Sequence, residues 1–296
     1  MSNLDLLKKL IKIESISPND NGCFDVIKQQ FEGLDFSFEE TNYKNISNLV
    51  ITNGNSKNKT FCFLGHTDVV PPGPESEWTV PPFSGEIIDN KIYGRGAADM
   101  KGGVACFISA LKEFLSEYKD PSFNIMVLLN SNEEGKLENG KVDRVINEMI
   151  DKDKFIDFCL IGEPSSSKKV GDVIRIGRRG SLSGNLKVYG IQGHVAYPKQ
   201  ALNPILGMGK TLEELKNMEW DRGNENFEPT SFQVSNIKSG TGAENVVPGV
   251  LEMTFNFRFS PESSPNGLKE MFEALLKKSD LKYDICWTLS ALPFLT

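Results

Sequence analysis

The sequence is poor in histidine and has no paired cysteine motif. Its 296 residues include 2 histidines and 5 cysteines, and the cysteines (Cys23, Cys62, Cys106, Cys159 and Cys286) are scattered along the chain. Because no Cys-x-x-Cys pair occurs and the number of cysteines is odd, neither a thiolate zinc site nor a disulfide framework is indicated. Cys62 and Cys159 lie in strand-like apolar runs and Cys106 in an apolar helical run, so we expect buried free thiols.

Long apolar runs and an excess of positive charge are also absent. No apolar stretch approaches the ~20 residues that a membrane-spanning helix needs. The amino terminus lacks the apolar core and cleavage site of a signal peptide, so we expect a cytoplasmic protein. The net charge of −7 and the pI near 5.1 argue against a nucleic-acid-binding or anionic-membrane-binding surface.

What the sequence does contain is a change of pattern at about Gly180. Before this point, apolar strand-like runs alternate with helical periodicity, which predicts an α/β fold with a mostly parallel sheet. After it, residues 250–259 alternate with period two, and the order strand–helix–strand–strand–helix–strand predicts a small α+β domain. We therefore predict one domain over residues 1–179 and another over 180–292, with a hinge at Gly177-Arg178-Arg179-Gly180.

Potential metal-binding side chains follow three of the apolar runs in the first domain. The carboxyl ends of parallel strands open onto the ligand crevice of a sheet, so these side chains should meet at one edge. They are His66 and Asp68 after the run 60–65, Glu133 and Glu134 after 123–129, and Glu163 after 158–162, joined by Asp99 in a glycine-framed turn.

Each of these signals has an ordinary structural explanation as well. Taken alone, His66 fits a core histidine satisfied by a neighbouring acid, and Asp99 fits a helix N-cap. The pair Glu133-Glu134 fits an exposed acidic turn, and Glu163 fits the point where a strand meets solvent. The agreement of four independent positions favours a metal site. A nitrogen and oxygen ligand set suits zinc, manganese or cobalt, and a carboxylate between two ions suits a two-metal hydrolase.

The same segments resemble the zinc-dependent amidohydrolases of the M20 peptidase family. The matching motifs run in order along the chain: Gly65-His66-Thr67-Asp68-Val69-Val70-Pro71, Tyr93-Gly94-Arg95-Gly96-Ala97-Ala98-Asp99-Met100-Lys101-Gly102, Asn132-Glu133-Glu134-Gly135, Gly162-Glu163-Pro164, Gly177-Arg178-Arg179-Gly180-Ser181-Leu182-Ser183-Gly184 and Gly193-His194-Val195-Ala196-Tyr197-Pro198. The resemblance implies a zinc-exopeptidase-like catalytic domain with a mostly parallel sheet. It also implies that the second domain is a ferredoxin-like lid through which the protein forms a homodimer.

The resemblance assigns metal-binding roles to the residues at the strand ends. His66 and Glu163 would hold one zinc ion and Glu134 a second, with Asp99 bridging them, and Co²⁺ is possible in one site. The peptide bond after Asp99 would be cis. Asp68 would orient His66.

It also assigns roles in catalysis and in substrate binding. Glu133 would be the general base. His194 would reach across the dimer interface and stabilise the oxyanion in the partner's site. The carboxylates of a small-molecule substrate would be bound by Arg178, Ser181, Tyr197, Asn245 and Arg258.

The reaction implied by the best-matching branch is hydrolysis of N-succinyl-LL-2,6-diaminopimelate to succinate and LL-2,6-diaminopimelate, in diaminopimelate and lysine biosynthesis. The motif at 177–184 and Trp287-Thr288-Leu289-Ser290 favour this branch. The alternatives are another M20 aminoacylase or dipeptidase, or an inactive fragment that only binds metal or dimerises.

One departure from the family concerns the second zinc ion. The family takes a further histidine from the closing segment of the catalytic domain, but both histidines of this sequence, His66 and His194, already have roles. We therefore expect that closing segment to be absent here, with residues 293–296 forming the start of the return to the catalytic domain.

Overall fold

The structure is a computed structural model that describes residues 2–54, 58–135 and 142–296. The chain divides into two compact units, Met1–Asp172 and Val173–Thr296. The division lies before the glycine-framed segment at 177–180 that we predict as a hinge.

Unit 1 contains a five-stranded sheet and a separate two-stranded hairpin. Its helices are α1 (Asn3–Ile11), α2 (Cys23–Lys28), α3 (Lys101–Glu117) and α4 (Val142–Ile150). Its strands are β1 (Ser37–Tyr43), β2 (Ile46–Thr52), β3 (Thr60–His66), β4 (Glu86–Ile88), β5 (Lys91–Tyr93), β6 (Asn124–Asn130) and β7 (Phe158–Ile161). The sheet has the order β1-β2-β6-β3-β7, and β4 pairs with β5.

The sheet of unit 1 is mixed. Strand β3 runs parallel to both of its neighbours, β6 and β7, whereas β1 and β2 are antiparallel additions at the other edge. The α/β class is confirmed. The sequence pattern does not predict strand β1, because most of its residues are exposed and show no apolar period.

Helices cover both faces of the central strands. Ile125, Val127 and Leu129 of β6 belong to a buried cluster with residues of α1, α2 and α3. Met126 and Leu128 face the opposite way and cluster with residues of α4. This two-sided burial, which the continuous apolar runs predict, holds β3 and β6 rigidly and fixes where their carboxyl ends lie.

Strand β7 does not follow that pattern, and here the expectation of two-sided burial was wrong. Phe158 is 58% exposed, Leu160 47% and Ile161 51%. In the described part of the chain β7 has one strand neighbour, β3. The expected burial of the cysteines was wrong at Cys106, Cys159 and Cys286, which are exposed. Cys159 lies on this edge strand and Cys106 on an outward-facing position of α3.

Unit 2 is built on a four-stranded antiparallel sheet. Its helices are α5 (Pro204–Gly207), α6 (Gly209–Asn217) and α7 (Pro265–Lys277). Its strands are β8 (Gly177–Arg178), β9 (Gly180–Tyr189), β10 (Gly193–His194), β11 (Ser231–Ser239), β12 (Val246–Val247), β13 (Val250–Phe259), β14 (Lys282–Ala291) and β15 (Phe294–Leu295). The main sheet has the order β11-β13-β9-β14, which is the split βαβ arrangement that the sequence predicts.

One face of this sheet carries an aromatic core. The period-two alternation over residues 250–259 places every second side chain of β13 on the inward face, and these side chains are all buried: Leu251, Met253, Phe255, Phe257 and Phe259. The Phe255 ring stacks on Phe272 of α7 with centroids 4.4 Å apart. Aromatic rings contribute large buried areas, so they supply much of the stability of this unit.

Two short strand pairs complete unit 2. β10 pairs with β12, and β15 pairs with β8. Residues 294–295, which the sequence analysis places at the start of a return to the first domain, therefore pair within unit 2. Among the described residues, no helix has the length and apolar character needed to cross a bilayer.

Candidate metal centre

His66 is the last residue of β3 and lies at the carboxyl edge of the sheet of unit 1 with its side chain buried. Its Nδ1 lies 2.9 Å from the main-chain oxygen of Asp68. Its Nε2 lies 3.2 Å from Asp99 Oδ1 and 3.5 Å from Glu163 Oε1. Since the carbonyl can only accept, Nδ1 carries a proton. This is the usual support of a metal-binding histidine, whose other nitrogen is held by an oxygen acceptor.

The carboxylate of Asp68 connects His66 to the acidic turn after β6. Oδ1 lies 3.4 Å from His66 Nδ1 and accepts a hydrogen bond from Glu133 N–H at 3.1 Å. Oδ2 accepts one from Glu134 N–H at 3.2 Å and another from Ser17 Oγ. Burial favours the neutral acid, but the hydrogen bonds from His66 and Ser17 outweigh it and lower the pKa of Asp68. Asp68 is therefore a fixed anion that orients two parts of the site.

The turn that carries Asp99 is fixed by contacts of the two residues that follow it, Met100 and Lys101. The Asp99–Met100 peptide bond is cis, as the resemblance implies. The His66 main-chain N–H donates to Met100 Sδ at 3.1 Å. The Lys101 Nζ donates to the main-chain oxygens of Leu10 and Ile13, each at 2.8 Å.

Lys101 is a supporting residue that the sequence reasoning missed. It is fully buried, and this burial lowers the pKa of its ammonium group. A lysine at the start of a helix is normally solvated. The sequence feature that could have indicated its burial is its position between the cis peptide bond and the apolar run of α3.

Among the residues that the structure describes, two groups of side chains have the composition of metal sites. His66, Asp99 and Glu163 form one, and His66, Glu133 and Glu134 form the other, with the ligand atoms of each group within 4.8 Å of one another. All donors are nitrogen or carboxylate oxygen, a set suited to zinc, manganese or cobalt. The residues predicted to bind metal are thus brought together, and their chemistry fits one or two divalent cations.

The electrostatics agree with this interpretation. Burial, together with the negative charge of Asp99, raises the pKa of Glu163 to about 7. Burial and Asp99 also raise the pKa of Glu134. Several carboxylates therefore share a confined space, and a divalent cation would relieve their repulsion.

The protonation of His66 has a different origin. Burial works against the imidazolium, but the hydrogen bond and charge of Asp68, together with the charge of Glu163, raise the pKa of His66 to about 9. Without a cation, the imidazolium occupies the centre of the acidic group. A bound metal must displace that proton.

The predicted substrate-binding residues all lie in unit 2, in two local groups. In the first, Ser181 of β9 pairs directly with Arg258 of β13. Ser181 is buried, and its Oγ accepts a hydrogen bond from Asn256 Nδ2 at 3.1 Å. Arg178 of β8 is exposed and its guanidinium lies 5.7 Å from the ring centroid of Phe294.

The second local group surrounds His194. The rings of His194 and Tyr197 lie 5.8 Å apart, and Val195 N–H donates to the main-chain oxygen of Asn245 at 3.1 Å. His194 Nδ1 accepts a hydrogen bond from Ala196 N–H at 3.1 Å. The neutral ring therefore carries its proton on Nε2, the nitrogen that can donate a hydrogen bond.

Comparison with known proteins identifies the class that this fold and site define. The chain is similar to an M20 family metallo-carboxypeptidase from Sulfolobus solfataricus, with a TM-score of 0.70, 21% identity, and coverage of 99% of this chain and 79% of that one. A dinuclear metal-binding peptidase of the M20 family from Bacillus subtilis gives a TM-score of 0.66 at 13% identity, covering 99% of this chain and 75% of that one. Residues 176–284 match the peptidase dimerisation domain of the family. The fold is that of the M20 metallopeptidases.

The sequence relatives narrow this class. A succinyl-diaminopimelate desuccinylase from Methylococcus capsulatus is 49% identical over 293 residues, which cover 99% of this chain and 77% of the relative. The chain belongs to the succinyl-diaminopimelate desuccinylase family. The predictions of family, fold class and hydrolase function are confirmed. The roles of the individual residues stay predictions.

Proposed function

We propose that this chain is a two-zinc desuccinylase that hydrolyses N-succinyl-LL-2,6-diaminopimelate to succinate and LL-2,6-diaminopimelate in the cytoplasm. The observation that carries the proposal is the meeting of His66, Asp99, Glu163 and Glu134 at one sheet edge. The relatives at 47–49% identity, named for this reaction, support the choice of substrate. The product would feed diaminopimelate and lysine biosynthesis.

We assign the metal ligands as the family resemblance implies, and the two groups of side chains, which share His66, support this assignment. His66 and Glu163 would hold one ion and Glu134 the other, with Asp99 between them. When bound, zinc ions lower the pKa of a water molecule toward ~7 and polarise the amide carbonyl. Co²⁺ has the same preference for nitrogen and oxygen donors and would suit one of the positions.

Glu133 is the residue that would move the proton. Its main chain is held by Asp68, at 3.1 Å from Glu133 N to Oδ1, while its side chain is exposed. The Glu133 carboxylate would take a proton from the attacking water and deliver it to the amine that leaves the succinyl group. Asp68 would stay ionised throughout and keep His66 in the tautomer that presents Nε2.

His194 would stabilise the oxyanion. Its Nδ1 is occupied by the Ala196 N–H, so Nε2–H is the donor that remains for a developing negative charge. We assign this role to His194 of a second copy, because residues 176–284 match a dimerisation domain.

Arg258, Ser181 and Arg178, with Tyr197 and Asn245, would bind the substrate's carboxylates. The planar guanidinium group binds a carboxylate through two parallel hydrogen bonds, which suits a substrate with several carboxylates.

A substrate and metal comparison tests the proposal. The metal-free chain is titrated with Zn²⁺ and then assayed with N-succinyl-LL-2,6-diaminopimelate, N-acetylated amino acids and dipeptides. We expect two ions per chain and preferential release of succinate. Preferential turnover of acetylated amino acids or dipeptides would favour the other M20 branches. One tightly bound ion with no hydrolysis would favour a metal-binding or dimerising module.

A further inference from the structure

A serine outside all the motifs touches the centre of the site. Ser17 Oγ donates to Asp68 Oδ2, a contact between residues 51 positions apart. Asp68 itself is fully buried, so each hydrogen bond to its carboxylate helps to compensate a charge that water does not reach. Ser17 lies in the stretch between α1 and α2, where neither periodicity nor any motif indicated a function.

That stretch, residues 13–20, forms what we call the N-terminal strap. It runs parallel to the loop after β3, with Ile16 bridged to Val69. Val69 N–H donates to the Ser15 oxygen at 2.9 Å, and Ser17 N–H donates to the Val69 oxygen at 3.1 Å. Main-chain bonds thus fix the position of Ser17 relative to the loop.

The strap is also tied to the other segments of the site. Ser131 Oγ, just before the acidic turn, donates to the Pro18 oxygen at 2.8 Å. Lys101 Nζ, just after the Asp99 turn, donates to the Ile13 oxygen at 2.8 Å. Three segments that carry proposed metal ligands or the proposed base therefore share one support, which supplies none of the ligands itself.

Two serines of the strap make different kinds of contact. Ser15 Oγ donates to the Thr67 main-chain oxygen at 2.7 Å and also hydrogen-bonds the Cys23 thiol. Ser17 Oγ lies 3.4 Å from the Val69 main-chain oxygen and donates to the Asp68 carboxylate. Without the Ser17 hydroxyl, the one hydrogen bond to Asp68 Oδ2 left among the described residues would be that from Glu134 N–H at 3.2 Å. The buried carboxylate would then lose one of the charge-assisted hydrogen bonds that fix its orientation.

We propose that Ser17 is a positioning residue of the metal centre. Its hydroxyl fixes the rotation of the Asp68 carboxylate, which in turn orients His66 Nε2 and the main chain of Glu133 and Glu134. The inference rests on the proposed role of His66 as a ligand. It adds to that role a residue that touches neither metal nor substrate.

Cobalt binding by the whole chain tests this assignment, with the visible absorption of Co²⁺ as the readout. We expect Ser17→Ala to raise the Kd for Co²⁺ about tenfold, the lower end of the effect of removing a partner of a metal ligand. Ser17→Thr and Ser17→Val are nearly equal in shape and differ in the hydroxyl. The threonine variant should bind within about threefold of the unchanged chain, and the valine variant should weaken like alanine.

Ser15→Ala is the matched control, because it removes a serine hydroxyl from the same strap. It should lower the melting temperature but leave the Kd for Co²⁺ within about threefold. An equal loss of affinity in Ser15→Ala and Ser17→Ala would overturn the proposal, since the integrity of the strap would then be what matters. Unchanged affinity in Ser17→Ala, or equal affinities in the threonine and valine variants, would also overturn it.

Co²⁺ binding by the unchanged chain distinguishes a failure of the Ser17 assignment from a failure of the proposed function. If it binds Co²⁺ and the Ser17 variants bind equally well, only the assignment of Ser17 fails. If the unchanged chain binds no Co²⁺, the proposed function fails, and the assignment of Ser17 fails with it.

Discussion

In unit 1 the proposed functional groups are anchored by buried polar neighbours, whereas in unit 2 most of them stand exposed on a scaffold with an aromatic core. His66 and Asp68 are buried and connected by hydrogen bonds to three segments of the chain. His194 on the short pair β10-β12 and Arg258 on β13 are exposed, whereas Phe255 and Phe257, on the opposite face of β13 from Arg258, are fully buried.

The difference reflects what each unit must do. A metal site requires ligand atoms at defined separations, so its supports must be rigid and satisfied by hydrogen bonds. Groups that bind a soluble substrate must remain accessible, so their support comes from the sheet rather than from direct contacts. In unit 1 the residues that position the proposed functional groups also stabilise the fold. In unit 2 the proposed functional groups and the core residues that stabilise the fold are different residues.

The largest expected effect comes from removing the proposed base. Glu133→Gln should lower kcat about a thousandfold, within the usual range for a general base, because the amide cannot accept the proton from water. Zn²⁺ binding should persist, which titration would check. Glu117→Gln, an exposed position at the end of α3, is the control. A Glu133→Gln variant that keeps more than about a tenth of the activity would exclude this role.

Unit 2 should respond to a core truncation with a loss of stability instead. Phe255→Ala removes a ring that lies 4.4 Å from Phe272 and 5.3 Å from Trp287, centroid to centroid. We expect unfolding of this unit to become easier by ~3–5 kcal/mol, measured by urea denaturation. Ile237→Ala on the neighbouring strand, where the side chain is 54% exposed, should change little. If Phe255→Ala also weakened Zn²⁺ binding at a temperature where unit 2 stays folded, the separation of roles would be refuted.

Substrate affinity should depend on the shape of the cation at Arg258 as well as on its charge. Arg258→Lys keeps the charge but loses the two-pronged donor, so KM for N-succinyl-LL-2,6-diaminopimelate should rise about tenfold with a smaller change in kcat. Lys238→Ala, a charge removal on the adjacent strand β11, should leave KM unchanged. Equal KM values for the lysine variant and the unchanged enzyme would show that Arg258 makes no bidentate contact.

The smallest effect concerns the stability of the metal-free chain between pH 6.5 and 9. The pKa of folded His66 is about 9, above the ordinary histidine value of 6.5, so folding favours the protonated ring. The contribution of His66 to the free energy of unfolding is fully present below pH 6.5 and is lost as the pH rises through 9. The melting temperature of metal-free protein should fall by roughly 5 °C over this range.

Glu163 also makes the metal-free chain less stable as the pH rises, but over a lower pH range. Its pKa is raised from 4.5 to about 7, so its contribution is lost mainly between those values. His66→Gln should flatten the decline above pH 6.5, as calorimetry would show. Saturating Zn²⁺ should reverse the trend, because the metal binds the deprotonated ligands. A metal-free melting temperature that increases toward pH 9 would contradict the assigned His66 environment.

Much of the site was predictable because strand ends carry a strong signal. An uninterrupted apolar run such as 123–129 identifies a buried strand, and the first polar residues after it must lie at the sheet edge. The alternation at 250–259 likewise identifies the inward face of β13. In both places local pattern and tertiary environment agree.

Other features depend on contacts between distant residues and leave no local signal. Strand β1 is mostly polar, and its place in the sheet comes from pairing with β2. The burial of Lys101 depends on main-chain oxygens of Leu10 and Ile13, about ninety residues away along the chain, and the role of Ser17 depends on Asp68. The exposure of β7 was missed because its apolar composition is the same as that of a strand paired on both sides.

That exposure has a consequence for how fast a bound ion is released. Glu163 follows β7, whose described pairing is with β3 alone, extended by the bond from Gly162 N–H to the Leu64 oxygen at 3.1 Å. Edge segments open locally at a lower free energy than central strands. Glu163 should therefore detach first while His66, on β3, stays in place. Local opening of β7, which amide hydrogen exchange would report, would then set the rate of ion release, independently of how tightly the ion is held at equilibrium.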